Sequence, residues 1–208
     1  VNGTPYRHPA LVANMAASLD IVSGGRLELG LGAGWNEQAT EAYGIDLLPM
    51  GQRMDRFEEA VEVIDSLLSH ELTTFQGKYF QLEQARCEPK GPQQPRLPIV
   101  IGGGGEKRTL RIAAKFAQHW NLSFATPEVF RKKNEILLAH CESVGRDSSL
   151  IMRSVQIAST PDQDPAEVAD NAAALFAVGV DQVIFTLRTP NRAERVTALA
   201  KSLEAITS

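Results

Sequence analysis

The sequence has few of the residues that most often announce a chemistry. Its two cysteines, Cys87 and Cys141, lie far apart with no CxxC or spaced histidine, so they are expected to be reduced structural thiols. His8, His70, His119 and His140 are scattered, and none falls in HExxH or a similar ligand spacing, which argues against a metal centre. Cationic surplus is missing: 21 Lys and Arg stand against 25 Asp and Glu, a net charge of -4, with no basic stripe, which excludes nucleic acid as an expected partner. Apolar runs are too short to cross a bilayer, and the N-terminus lacks a charged segment leading into a hydrophobic one. A cytoplasmic protein without membrane contact is therefore expected. GxSxG is absent, and residue order alone supports no Ser–His–Asp arrangement.

Glycine is what the chain has where it matters. Leu97-Pro98-Ile99-Val100-Ile101 followed by Gly102-Gly103-Gly104-Gly105 and a helically spaced Glu106-Lys107-Arg108 stretch reads as buried strand, glycine turn and helix start. Residues without Cβ let backbone amides approach a ligand, and free N–H groups with the positive end of a helix dipole favour an anion such as phosphate.

The remaining pattern alternates strand and helix over one domain, residues 1–208. Val1-Asn2-Gly3-Thr4-Pro5 reads as the tail of a strand, and Val1 stands where an initiating Met would be. Pro9 starts a helix in which Leu11, Val12, Met15, Leu19 and Val22 recur at helical spacing until Gly24-Gly25. Arg26 to Gly32 alternates as a strand, ending at Gly30, Gly32 and Gly34. A further helix carries the stripe Met54, Phe57, Val61, Ile64 and Leu68, with Arg53, Asp55, Glu58, Glu59 and Glu62 expected to face water. Residues 71–96 break the alternation with a hairpin near Thr73–Leu82 and a Pro-rich lead, an insertion near a substrate mouth.

Beyond the glycines come a small-faced helix with Leu110, Ala113, Ala114 and Ala117, and a strand at 119–123. A helix starting at Thr126-Pro127 follows, then a strand at 151–158, a helix opened by Asp164-Pro165-Ala166-Glu167 and a strand at 181–187. Thr189-Pro190 starts the last helix, with Val196, Leu199, Leu203 and Ile206 as its stripe. Strict βα alternation implies a parallel sheet, open or closed into a barrel. Five units plus a strand tail and its helix would be an eight-unit barrel lacking its first two units and most of the third.

Gly30-Leu31-Gly32-Ala33-Gly34-Trp35 places an indole where the dinucleotide fingerprint needs its third glycine, and Gly102–Thr109 lacks the Gly-Lys-Thr/Ser of a nucleoside-triphosphate loop. The carboxyl ends of the strands then form a glycine-lined, mostly uncharged bowl. Asn2, Gly34, Trp35, Asn36, Glu37, Gly102, Gly103, Gly104, Gly105, His119, Trp120 and Asn121 are expected there. Trp35 and Trp120 could flank a planar ligand, and Glu37, the acid close to a strand end, is the candidate proton-handling residue. Without metal ligands or a nucleophile, such a bowl suits a cofactor that brings its own chemistry.

Three blocks carry a resemblance: Tyr6-Arg7-His8-Pro9-Ala10-Leu11, Ser23 through Glu37 and Pro98 through Thr109. Together they closely resemble the bacterial luciferase-like monooxygenase family, nearest its actinobacterial branch that uses the deazaflavin coenzyme F-420. The resemblance implies a TIM-type (β/α)8 barrel holding a deazaflavin or flavin across the strand ends and passing hydride to or from a small organic substrate. It places Asn2 at the end of the third strand, Gly34 and Asn36 at the cofactor-facing end of the fourth, and Gly102 to Gly105 on the coenzyme's phosphate-bearing side. The hairpin at 73–82 matches the family's insertion. Some members carry an acid just after the fourth strand's glycines, where this chain runs from Gly34 into Trp35-Asn36. The alternatives are an FMN-dependent monooxygenase and a non-catalytic flavin-binding protein. An incomplete barrel has two sheet edges to cover, and a homodimer is expected.

Overall fold

Helix starts follow the local chemistry closely. In the computed structural model, which describes residues 1–188 and 193–207, strand β1 (Asn2–Gly3) leads through a short 3-10 turn into α1 (Pro9–Ser23). The His8 ring accepts the Ala10 N–H at the start of α1, and Gly24 closes it in the left-handed conformation, φ 66°. Then come β2 (Leu29–Gly32), the short α2 (Glu37–Ala42) capped by Asn36, and α3 (Met50–Ser69). A hairpin of β3 (Thr73–Gln76) and β4 (Gln81–Ala85) precedes β5 (Ile99–Gly102), α4 (Thr109–Phe116) and β6 (His119–Ser123). Last come α5 (Pro127–Ser143), β7 (Met152–Ser159), α6 (Pro165–Phe176), β8 (Gln182–Leu187) and α7 (Ala193–Thr207). Thr126 and Asp164 cap α5 and α6 by accepting the Val129 and Ala166 N–H groups.

Six strands form one parallel sheet in the order β1-β2-β5-β6-β7-β8, with β3 and β4 paired antiparallel apart from it. Among the described residues β1 and β8 are edges, so the sheet is open. Leu31, Ile99, Ile101, Trp120, Val155 and Ile157 belong to the core together with Phe57, Ile64 and Leu67 of α3, Ile112 of α4 and Phe130 and Leu137 of α5. Arg96 sets the entry to β5, bonding Asp65, Gln118 and the Phe116 carbonyl. Cys87 and Cys141 are free and buried, and burial pushes both thiols up.

Four expectations change. The strand expected from Arg26 begins at Leu29, because Arg26 is turned back to the Ser23 carbonyl. Of the α1 stripe only Val12 is buried. The packed face is Val12, Ala13, Ala16 and Ala17, whose small side chains allow close approach, while Leu11, Met15, Leu19 and Val22 are exposed, Val22 at 82%. Met15, Leu19 and Val22 line an open apolar groove of 650 Å³ along Leu27 and Leu29 of the β2 segment. The charged side of α3 is also not simply solvated. Arg53 is buried, Glu58 and Asp55 pair with α4-side cations, and Glu59 accepts three hairpin N–H groups. Lastly, the helix after the glycines begins only at Thr109. The expected start at Thr189-Pro190 and the Ile206 side chain lie outside what is described.

Candidate functional site at the carboxyl edge of the sheet

Strand alternation assigns the two faces of the sheet. Register pairs Gly3 with Gly32, Gly30 with Val100, Val100 with His119, Gly102 with Asn121 and Asn121 with Ser154, so these residues share one face, opposite the helix-packed Leu31, Ile101 and Trp120. On that face Val1 lies across the glycines: a Cβ at Gly30, Gly32 or Gly102 would stand 3.0, 3.4 or 3.1 Å from its side chain. The face is therefore glycine and aliphatic near β2 and β5, polar along His119, Asn121 and Ser123 of β6, and mixed on β7 and β8, where Ser154 and Gln156 alternate with Met152, Ala158 and Ile184.

Asn2 pairs with Leu31, and it lines the α1 groove with Asn14, Met15 and Leu19. Its side chain is thus on the helix side, away from the glycine face, because strand parity turns it outward. Gly34, at φ 84°, is wedged under Pro5, and its carbonyl accepts from Arg53 Nη1 at 3.2 Å while Arg53 Nε bonds the Leu48 carbonyl. A buried guanidinium thus fixes the backbone between β2 and α3, a contact that nothing in the spacing of Arg53 announced. The Asn36 side-chain oxygen caps α2 through the Ala39 N–H at 3.0 Å. Glu37, the first residue of α2, is exposed on a cavity shared with Thr40, Glu41 and Asp46.

The turn after β5 is divided. Gly102 belongs to the ladder, and the Gly103 N–H donates to the Asn121 carbonyl at 3.0 Å. Among the described residues the N–H groups of Gly104 and Gly105 meet no acceptor. A Cβ at either position would stand 2.7 Å from Leu122 Cδ1 or from the Thr109 hydroxyl, so a larger residue there would have to push that side chain aside. The two free N–H groups border a cavity of 470 Å³ lined by Met50, Met54, Lys107, Arg108, Thr109 and Lys133. Lys107 is exposed and has no ion partner among the described residues, whereas Lys133 is held by Glu106 at 2.8 Å. Arg108 is held by Asp55 and Glu58. Burial would raise the Glu58 carboxyl, but hydrogen bonds and charge from Lys115, Arg111 and Arg108 hold it below the usual range.

Trp120 does not face a ligand. It is fully buried, stacks on Phe130 with ring centroids 5.8 Å apart, and donates from Nε1 to the Gly103 carbonyl at 2.8 Å, so it props the turn from beneath. Trp35 is 82% exposed on the loop after β2. His119 is at the amino end of β6, not the carboxyl end, because the strand starts there. It joins a chain that runs from exposed Glu28 into the interior: Nδ1 is 3.0 Å from Glu28, Nε2 is 2.6 Å from Ser154 Oγ, and Asn121 Nδ2 donates to the same oxygen at 2.7 Å. With both ring nitrogens engaged and Ser154 sealed from solvent, the chain braces β2, β6 and β7. At the opposite edge, Phe124 and Arg188 stand one residue past β6 and β8.

Among described residues, no group of three or more His, Cys, Asp and Glu could hold a metal ion, and no helix is long and apolar enough to cross a membrane. A family model described as luciferase-like monooxygenase matches residues 3–206. Pyrimidine monooxygenase RutA of Agrobacterium fabrum is 31% identical over 163 residues, 75% of this chain and 44% of that protein. An F420-dependent glucose-6-phosphate dehydrogenase of Kineococcus radiotolerans is 31% identical over 168 residues, 79% of this chain and 48% of that protein. The chain thus spans about half the length of these curated relatives. The solved structure of an F420-dependent secondary alcohol dehydrogenase in complex with an F420-acetone adduct superposes with a TM-score of 0.83 at 19% identity, covering 95% of this chain and 75% of that one. That likeness carries the fold: helices and a parallel sheet arranged as in a luciferase-like barrel. With a model match over nearly its whole length and relatives above 30% identity, the chain belongs to the luciferase-like monooxygenase family.

Proposed function

We propose that the protein serves hydride transfer between a deazaflavin coenzyme of the F-420 type and a small organic substrate at the carboxyl edge of the sheet. The observation that carries this reading is the pair of unpartnered N–H groups at Gly104 and Gly105 beside Lys107. Two amide donors and an ammonium fit a phosphate. Both Gly105 and Lys107 are exposed, so an anion seated there can continue outward as a longer charged tail. The face at Gly30, Gly32 and Gly102 is uncharged, and a planar ring system seated there would displace the Val1 side chain that lies on it. The coenzyme, when bound, supplies the hydride chemistry. The chain's part is to hold the phosphate-bearing side at Gly104 and Gly105, to fix the loop after β2 through Gly34 and the Asn36 cap, and to exchange a proton with solvent through the exposed Glu37 carboxylate.

Likeness does not separate the coenzymes, because the matched relatives include a pyrimidine monooxygenase and an F420-dependent dehydrogenase at equal identity. A flavin monooxygenase reading is therefore the second. Titrating the protein with F-420 and with FMN while following each ring's fluorescence tests both. Saturable binding of F-420 at lower concentration than FMN is expected; the reverse order favours the monooxygenase, and binding of neither removes both.

A further inference from the structure

Phe124 and Arg188 form a contact that neither packing nor fold explains. Phe124 has φ 54°, in the left-handed region, and among the described residues the one other non-glycine residue with positive φ is Gln84. Gln84 has a local reason: it follows the irregularity in the hairpin ladder, where its N–H bonds Thr74 Oγ1. Phe124 has none. It directly follows β6, its N–H donates to the Gln156 carbonyl at 2.8 Å, and the chain then turns through a conformation that glycine or asparagine would adopt at lower cost. Burial does not offset the strain, because the residue is 56% exposed.

The ring's one described ring partner is Arg188, whose guanidinium carbon is 6.0 Å from the ring centroid. The Arg188 backbone is fixed in turn, its N–H donating to the Ser159 carbonyl at 3.0 Å. Its guanidinium has no carboxylate or carbonyl acceptor among the described residues. Next to Phe124 in the chain, Ser123 Oγ donates to Gln156 Oε1 at 2.8 Å, on the sheet face that Ser123 shares with Asn121. The result is an exposed aromatic face and a cation with no carboxylate or carbonyl partner among the described residues, held by strained but well-bonded backbone at the strand ends where sites in parallel βα folds gather.

We propose that Phe124 and Arg188 form the substrate-selecting subsite of the reaction proposed above, for an organic substrate with an apolar, preferably planar, body and a carboxylate or other single anionic group. The proposal rests on that reaction for its meaning. In it Phe124 covers the body and Arg188 takes the anion, while the glycine turn after β5 is left to the coenzyme.

The test uses two probes of one shape, benzoate and neutral benzamide, with dissociation constants measured by saturation-transfer NMR on the 208-residue chain. Wild type is expected to bind benzoate about fivefold more tightly than benzamide, the ratio expected of one charge-assisted contact. Arg188→Gln is expected to abolish the preference, and Phe124→Ala to weaken both probes. Phe124→Gly is expected to weaken both while leaving the melting temperature unchanged or raised, which a merely structural ring would not do. Equal binding of the two probes by wild type, no binding of either, or a preference that survives Arg188→Gln overturns the proposal. F-420 titration of the same samples reads the glycine turn separately. Loss of benzoate selectivity with intact coenzyme binding removes only this subsite, and selectivity without coenzyme binding removes the proposed reaction instead.

Discussion

Glu59 Oε2 accepts the Tyr79 N–H at 2.8 Å, and the same carboxylate takes the N–H groups of Lys78 and Phe80. A helix side chain thereby does for the tip of the β3–β4 hairpin what a turn's own carbonyl would otherwise do. Glu59→Ala should cost about 1–3 kcal/mol, since three donors lose a charged acceptor. Urea unfolding measures that cost, and amide exchange should speed up first at residues 78–80.

Glu58 gathers Arg108, Arg111 and Lys115 and is 16% exposed. Because its carboxyl is held below the ordinary value in the folded protein, the stabilisation is complete above that ordinary value and is lost as pH falls through the lowered one. Thermal melts from pH 7 down to pH 3 should show the wild type losing stability in that acid range and Glu58→Gln losing less. At neutral pH, Glu58→Gln should be destabilised by about 1–2 kcal/mol, leaving three cations facing one another.

Gly34 combines positive φ with Pro5 3.0 Å from where its Cβ would be. Gly34→Ala should lower stability by about 1–2 kcal/mol through backbone conformation alone, with the contact adding to it. Arg53→Met, which frees the Gly34 and Leu48 carbonyls, should lower the melting temperature similarly, and coenzyme affinity should fall in both variants.

Trp120→Phe keeps the ring stacked on Phe130 but removes the hydrogen bond to the Gly103 carbonyl. The protein should stay folded, at a cost of about 1–3 kcal/mol. F-420 titration should show weakened binding, because the Gly104–Gly105 turn has lost its support. Unchanged affinity would mean that the turn is rigid without the indole.

How much of this was readable from the chain depended on whether the signal was local. Pro and Asp or Thr caps placed α5 and α6, and the glycine block placed β5, because the residues that set those boundaries are adjacent in sequence. The α1 stripe misled because the helix has two apolar faces, and the close-packed one is alanine, which hydrophobic spacing weights least. Strand parity already separates Trp120 and Leu122 from His119 and Asn121, so the position of the indole on the helix side was available from alternation. Glu58 and the Arg53–Gly34 contact could not be read, since the partners lie 50 to 57 and 19 residues away in the chain. Nor could Phe124, whose backbone conformation leaves no mark on residue type.

Val1 fills the volume that side chains at 30, 32 and 102 would need, so these four positions share one allotment of space. Bulk can move among them but cannot be added: an alanine at position 102 should be tolerated when position 1 shrinks to alanine and resisted while valine remains, whereas position 30 also meets the Val1 backbone at 3.1 Å and stays resistant. Substitutions there should consequently be non-additive, the double replacement milder than the sum of its parts, and related sequences should exchange a methyl group between these strands rather than gain one.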